Sequence, residues 1–195
     1  MEGIILAGGH SSRMGQPKEL LLVEGVPLIE RTRRLLTPVM DRCVIISNHP
    51  ERLKMIPNEV PIYPDDIPGQ GPLGGIVTAM RVATSDILFV VACDMPALEA
   101  DVVLQLCDRA SMLEKEYDII YPVWSGRAHP LCALYHRRVW PFAEALLKDG
   151  RRRMFDLIDG RRTFAWDATL SFPTDPFCNI NTVQDYDEFQ KGERV

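Results

Sequence analysis

Ile87-Leu88-Phe89-Val90-Val91-Ala92-Cys93 is an unbroken apolar run, closed abruptly by Asp94-Met95-Pro96. A strand that is apolar on both faces, with no alternation, is covered on both sides and belongs in the middle of a parallel sheet. Similar short runs flank it at Gly3–Ala7, Arg42–Ser47, Pro61–Pro64 and Asp118–Pro122. Between them, Leu28–Leu36 places Leu28, Ile29, Leu35 and Leu36 at helical spacing with arginines on the other face. Pro72–Ala83 predicts a second helix, entered through Gly71 with proline at the first helical position. A third helix is expected from about Ala100 to Glu114. Strands and helices taking turns in this way predict an open, doubly wound α/β sheet.

Beyond Ser125 the pattern continues with an apolar alternation at Pro130–Tyr135 and a helix at Val139–Leu147. An irregular basic stretch, Arg151–Arg162, and a last helix near Val183–Phe189 follow. A chain of 195 residues without repeats, linkers or low-complexity tracts fits one domain with a sizeable core, spanning 1–195.

Composition narrows the function. The formal charge of −5 offers no basic footprint for a nucleic-acid backbone. No apolar stretch approaches the roughly 20 residues of a membrane span, and Met1-Glu2-Gly3 is no signal-peptide leader. The cysteines (Cys43, Cys93, Cys107, Cys132, Cys178) are odd in number, scattered and without metal-ligand spacing, so reduced thiols in a cytoplasmic protein are expected.

The chemistry-bearing residues sit where strands end. After Leu6-Ala7 comes Gly8-Gly9-His10-Ser11-Ser12-Arg13-Met14-Gly15-Gln16-Pro17-Lys18. Glycines let backbone amides approach a phosphate, and Arg13 and Lys18 can neutralise it. The spacing is neither GxGxxG nor GxxxxGK[ST], which disfavours a dinucleotide-binding fingerprint and a P-loop. Asp94, at the carboxyl end of the apolar run, is where open α/β sheets bind ligands, and a carboxylate there suits Mg²⁺ shared with substrate phosphates. Gly69-Gln70-Gly71-Pro72 feeds a helix N-terminus, whose amides and dipole favour an anion or a base carbonyl. Asn179 and Asn181, two apart on an extended segment, share a face, and Thr182 with Asp185 resembles a helix cap. No GxSxG motif and no Cys–His pairing appear, so nothing recommends covalent catalysis.

Taken in order, Leu6-Ala7-Gly8-Gly9-x-Ser-x-Arg13-Met14-Gly15-x-x-Lys18, Gly71-Pro72-Leu73-x-Gly75, Cys93-Asp94-Met95-Pro96, His129-Pro130-Leu131-Cys132-Ala133-Leu134-Tyr135 and Asn179-Ile180-Asn181-Thr182-x-x-Asp185 resemble the molybdenum cofactor guanylyltransferase family of the nucleotidyltransferase superfamily. The resemblance covers almost the whole chain. It implies a single-domain, three-layer, Rossmann-like nucleotidyltransferase fold with a mainly parallel sheet, its nucleotide-binding half at 1–100 and its acceptor-binding half at 101–195. The implied reaction moves GMP from GTP to the terminal phosphate of molybdopterin or Mo-molybdopterin and releases pyrophosphate, with Mg²⁺ as cofactor and cofactor-delivery proteins as partners.

Carried over by motif position, Leu6, Ala7, Gly8 and Gly9 line the nucleotide, with Gly71 and Pro72 beside it. Arg13 and Lys18 meet its phosphates, and Asp94 and Asn181 hold the metal. Asn48 contacts the nucleoside, with Ser47 competing, and Asp65 is the acidic position ahead of Gly-Pro-Leu, with Asp66 its rival. Val183-Gln184 where the family has Pro-Glu, and His129 where it often has glutamine, depart from the pattern on the pterin side. A CTP-using or sugar-phosphate relative, and a non-catalytic GTP-binding module, are the competing possibilities.

Overall fold

The structure is a computed structural model that describes residues 1–8 and 15–192. It begins with β1 (Glu2–Leu6), a small hairpin of β2 (Leu22–Val23) and β3 (Val26–Pro27), then α1 (Leu28–Leu36), β4 (Arg42–Ile46) and β5 (Ile62–Tyr63). The middle comprises α2 (Gly71–Val82), β6 (Ile87–Ala92), α3 (Ala100–Cys107), α4 (Ala110–Lys115), β7 (Ile119–Trp124) and β8 (Arg127–Ala128). It closes with β9 (Cys132–His136), α5 (Trp140–Lys148), α6 (Met154–Asp159), β10 (Thr163–Asp167) and α7 (Val183–Gln190).

The main sheet runs β10-β7-β9-β6-β1-β4-β5, with β8 pairing off β7. Both halves of the chain therefore build one sheet. β6 is interior, parallel to β1 and antiparallel to β9, as its two-faced apolarity requires. Alternate residues of each central strand supply opposite cores. Ile5, Ile45, Phe89 and Val91 pack with α1 and α3 residues such as Ile29, Leu36, Val102 and Leu106. Ile4, Leu6, Val44, Ile46, Leu88 and Val90 pack with Leu73, Ile76, Met80 and Leu146 of α2 and α5. The period-two geometry of a strand thus produces the three layers. All five cysteines lack disulfides.

Two expectations need correction. The helix expected over Ala100–Glu114 is two helices: the Arg109 amide bonds Leu106 O at 3.0 Å, tightening the last turn of α3, and α4 restarts at Ala110. Arg109 lies over the Trp166 ring at this break, 4.2 Å from its centroid. The basic stretch is not irregular but contains α6 and leads into β10, parallel to β7. Edge position explains why β10 is hard to read, since Trp166 is its only buried residue.

Candidate active site

Parallel strands deliver their carboxyl ends to one edge, and there the register is tight. The Ala7 amide bonds Ile46 O at 2.9 Å and the Cys93 amide bonds Leu6 O at 3.1 Å, so the exits of β1, β4 and β6 are locked side by side. Leu6 and Ala7 are buried and Gly8 is exposed. Among the described residues, no atom outside its chain neighbours would lie within 4 Å of a Cβ at Gly8. Gly9 and Arg13 lie outside the described residues.

Lys18 opens a single 3₁₀ turn, Lys18–Leu20, and is carried back over the end of β6. Its Nζ lies 3.4 Å from Asp94 Oδ2 and donates to Asn181 Oδ1 at 2.9 Å. The segment bearing Asn181 is docked by the Ile180 amide, which donates to Asp94 O at 2.9 Å. Ile180 is buried with Leu21, Val23 and Leu28 of the hairpin region. A capping box then fixes the start of α7: Thr182 Oγ1 accepts from the Asp185 amide at 3.1 Å, while Asp185 Oδ2 accepts from the amides of Thr182 and Asn181. Asn181 thus has its backbone restrained and its side chain on Lys18.

Asp94 Oδ1 is buried with no hydrogen-bond partner among the described residues. Burial raises the Asp94 carboxyl above its ordinary range, against the opposing attraction and hydrogen bond of Lys18. An orphaned carboxylate oxygen beside a cation is an acceptor open to a charged ligand. With Asn181 Oδ1 it fits Mg²⁺, which takes few protein oxygens and fills its sphere with phosphate and water.

On the other flank, Asn48 and Asp65 bond reciprocally: Asn48 Nδ2 donates to Asp65 Oδ2 at 3.1 Å and the Asp65 amide donates to Asn48 Oδ1 at 2.9 Å. Their rivals serve the fold. Ser47 Oγ accepts from the His49 amide at 3.2 Å, and Asp66 forms a two-pronged pair with Arg81 at 2.6 Å on each arm. Asp65 Oδ1 is buried and unpartnered among the described residues, and burial raises that carboxyl too, the Asn48 bond opposing. Gly75 of α2 makes room for it: a Cβ there would stand 3.3 Å from Asp65 Oδ1 and 3.1 Å from Leu6 Cδ2. Gly71 adopts φ 66°, a left-handed conformation natural to glycine, and Pro72 follows in the first turn of α2. Next to it, Gln70 Oε1 is buried without a partner among the described residues.

The remaining side of Asp94 faces β9 and β7. Because β9 is antiparallel, the residues preceding it lie at the same edge as the ends of β1 and β6. His129 is there, buried and stacked on Phe177 with centroids 4.6 Å apart at 25°. Its backbone is pinned by its amide to Pro122 O (2.9 Å) and by the Cys132 amide to its carbonyl (3.1 Å). Burial pulls the imidazole down to about 4, so it is neutral at physiological pH. The motif at His129–Tyr135 singled out this position in the sequence, but its place beside the Asp94 end of β6 depends on the reversed direction of β9.

The sequence matches the family described as "MobA-like NTP transferase domain" over residues 3–163. Relatives named "Probable molybdenum cofactor guanylyltransferase" from Bacillus anthracis and Bacillus cereus are each 35% identical over 195 residues, covering 97% of this chain and 95% of theirs. The crystal structure titled as molybdopterin-guanine dinucleotide biosynthesis protein A from Archaeoglobus fulgidus superposes with a TM-score of 0.83 at 23% identity, over 98% of this chain and 97% of that one. A putative protein from Aquifex aeolicus shares the fold with a TM-score of 0.77 at 22% identity, over 93% of both chains. The chain belongs to the MobA-like NTP transferase family.

Proposed function

We propose that the protein transfers GMP from GTP to the terminal phosphate of molybdopterin, forming the guanine dinucleotide cofactor and releasing pyrophosphate. The observation that carries this is the Lys18–Asp94–Asn181 cluster at the end of the central strand, beside the glycine exit of β1. Family membership supports the reaction class. The nucleophile is a phosphate oxygen, anionic at neutral pH, so no general base is required. Its bond to the α-phosphorus forms as the bond from that phosphorus to the pyrophosphate oxygen breaks.

Catalysis then rests on alignment and charge neutralisation. Mg²⁺, held by Asp94 with Asn181, supplies Lewis-acid neutralisation of the phosphoryl oxygens when bound. Lys18 follows the phosphates, exchanging its contact with Asp94 for the substrate's greater charge, and Arg13 adds a second cation. Leu6, Ala7, Gly8 and Gly9 bring backbone amides to the nucleotide, with Gly71 and Pro72 at its other side. Asn48 orients Asp65, whose open oxygen accepts from the N–H donors of guanine. Residues 1–100 thereby hold the nucleotide and 101–195 the acceptor, in the cytoplasm, where delivery proteins bring the acceptor.

The test is pyrophosphate release with molybdopterin and each of GTP, CTP, ATP and UTP, with Mg²⁺ and after chelation. GTP alone should support turnover, and only with the metal. Turnover with CTP at an equal rate would move the protein to a sibling activity, and tight GTP binding without turnover would make it a binding module.

A further inference from the structure

Buried polar side-chain atoms without a partner are costly and few in native proteins, so their distribution carries information. Among the described residues, Trp140 Nε1 and Arg161 Nε are such atoms at the amino edge of the sheet, while Asp65 Oδ1, Gln70 Oε1, Asp94 Oδ1, His129 Nε2 and Asn179 Oδ1 belong to segments at its carboxyl edge. Asp65, Gln70 and Asp94 face the nucleotide and the metal. His129 and Asn179 are not used by that chemistry.

Their place follows from the strand order. β6, which delivers Asp94, has β1, β4 and β5 on one side and β9 and β7 on the other. The glycine exit, Asn48 and Asp65 occupy the first side, which leaves the second for the acceptor. His129 immediately precedes Pro130 and β9 there, and Asn179 is one residue from Ile180, whose amide holds the Asp94 carbonyl. The stack on Phe177 connects the two, since Phe177 and Asn179 lie on the same segment.

We propose that His129 is a specificity-determining residue for the acceptor, with Nε2 hydrogen-bonding the acceptor's nitrogen heterocycle and Asn179 Oδ1 supplying the adjoining acceptor atom. The inference rests on molybdopterin being the acceptor. A neutral imidazole clamped against an aromatic ring suits an uncharged planar heterocycle, whereas the acceptor's phosphate belongs with the cations around Lys18. Both orphaned atoms gain partners when the heterocycle is seated, and a ring lacking the matching edge leaves them buried and unsatisfied.

The experiment compares wild type with His129→Phe, which keeps the stack and loses the hydrogen bond, and His129→Gln, which restores a hydrogen-bonding group at similar reach. KM for molybdopterin, KM for GTP, kcat and Tm are measured for each. We expect His129→Phe to raise the molybdopterin KM roughly tenfold or more with GTP KM within a factor of about two, and His129→Gln to recover most of the loss. If His129→Phe does not fold, His129→Leu takes its place with the same expectation. An active wild type whose phenylalanine or leucine variant keeps its molybdopterin KM, or loses GTP affinity equally, overturns the proposal while sparing the reaction. A wild type with no transfer to molybdopterin overturns both.

Discussion

The ammonium of Lys18 bridges Asp94 and Asn181, lying 3.4 Å from Asp94 Oδ2 and 2.9 Å from Asn181 Oδ1. Both the lysine and the aspartate side chain are 19% exposed, so solvent screens the pair only in part. A monovalent protein cation therefore occupies the position between the two groups proposed to hold the metal.

Asp94 and Lys18 should consequently fail in different ways. Asp94→Asn keeps the shape and removes the charge, so turnover should fall by orders of magnitude while metal-free nucleotide binds about as before. Lys18→Ala removes a cation facing the triphosphate and should weaken GTP far more than GMP. Steady-state pyrophosphate release and calorimetric titration with both nucleotides separate the cases. Near wild-type release by Asp94→Asn at saturating Mg²⁺ would refute the metal assignment.

For the base, GTP should bind at least tenfold more tightly than CTP, about 1.4 kcal/mol. Asn48→Ala removes both hydrogen bonds that orient Asp65 and should erode that preference, with kcat on GTP less affected. Ser47→Ala, whose hydroxyl only accepts from a backbone amide, should leave it intact. Competition titrations with GTP and CTP read both outcomes.

Gly75→Val tests the same pocket from the helix side. Even the Cβ of the new side chain would lie 3.3 Å from Asp65 Oδ1 and 3.1 Å from Leu6 Cδ2, and the two methyls beyond it would press on both. GTP affinity should fall by about tenfold or more, with a loss of stability of about 1–3 kcal/mol from overpacking. Unchanged affinity, measured on folded variant, would show that this corner does not contact the nucleotide.

Asp118 offers a prediction about pH. It is buried at the start of β7 and accepts from Arg138 Nε at 2.6 Å, Arg162 Nη2 at 3.1 Å and the Arg162 amide at 3.2 Å. Burial raises its carboxyl, but the hydrogen bonds from Arg162 and Arg138 outweigh it and the net direction is downward. A lowered folded-state value contributes stability that is fully present above the unfolded value, about 4, and is lost as pH falls through the folded one. Asp118→Asn should cost about 1–2 kcal/mol near neutrality, because its arginine partners are partly exposed and screened, and the gap to wild type should close as pH falls below about 4. Denaturant melts across that range provide the measurement, and a gap that widens in acid would reverse the sign.

Much of this molecule is written in local pattern. The two-faced apolarity of Ile87–Cys93 marked it as an interior strand, and helical spacing located α1, α2, α5 and α7 to within a residue or two. Asp94 and Lys18 were identifiable because strand ends and glycine loops are where such side chains gather. These features are legible because burial on both faces, helix entry and phosphate approach each constrain neighbouring residues. Tertiary structure alone decided the rest. Asn181 stands 163 positions from Lys18 and reaches it only because Ile180 is buried against the hairpin and its amide bonds Asp94. Asn48 and Asp65 pair while Ser47 and Asp66 turn to a backbone amide and Arg81, a choice between adjacent residues that only the packed site makes. The reversed direction of β9, which brings His129 to the active edge, depends on its pairing with β6 and β7, and no periodicity along a single strand records the direction of its neighbours.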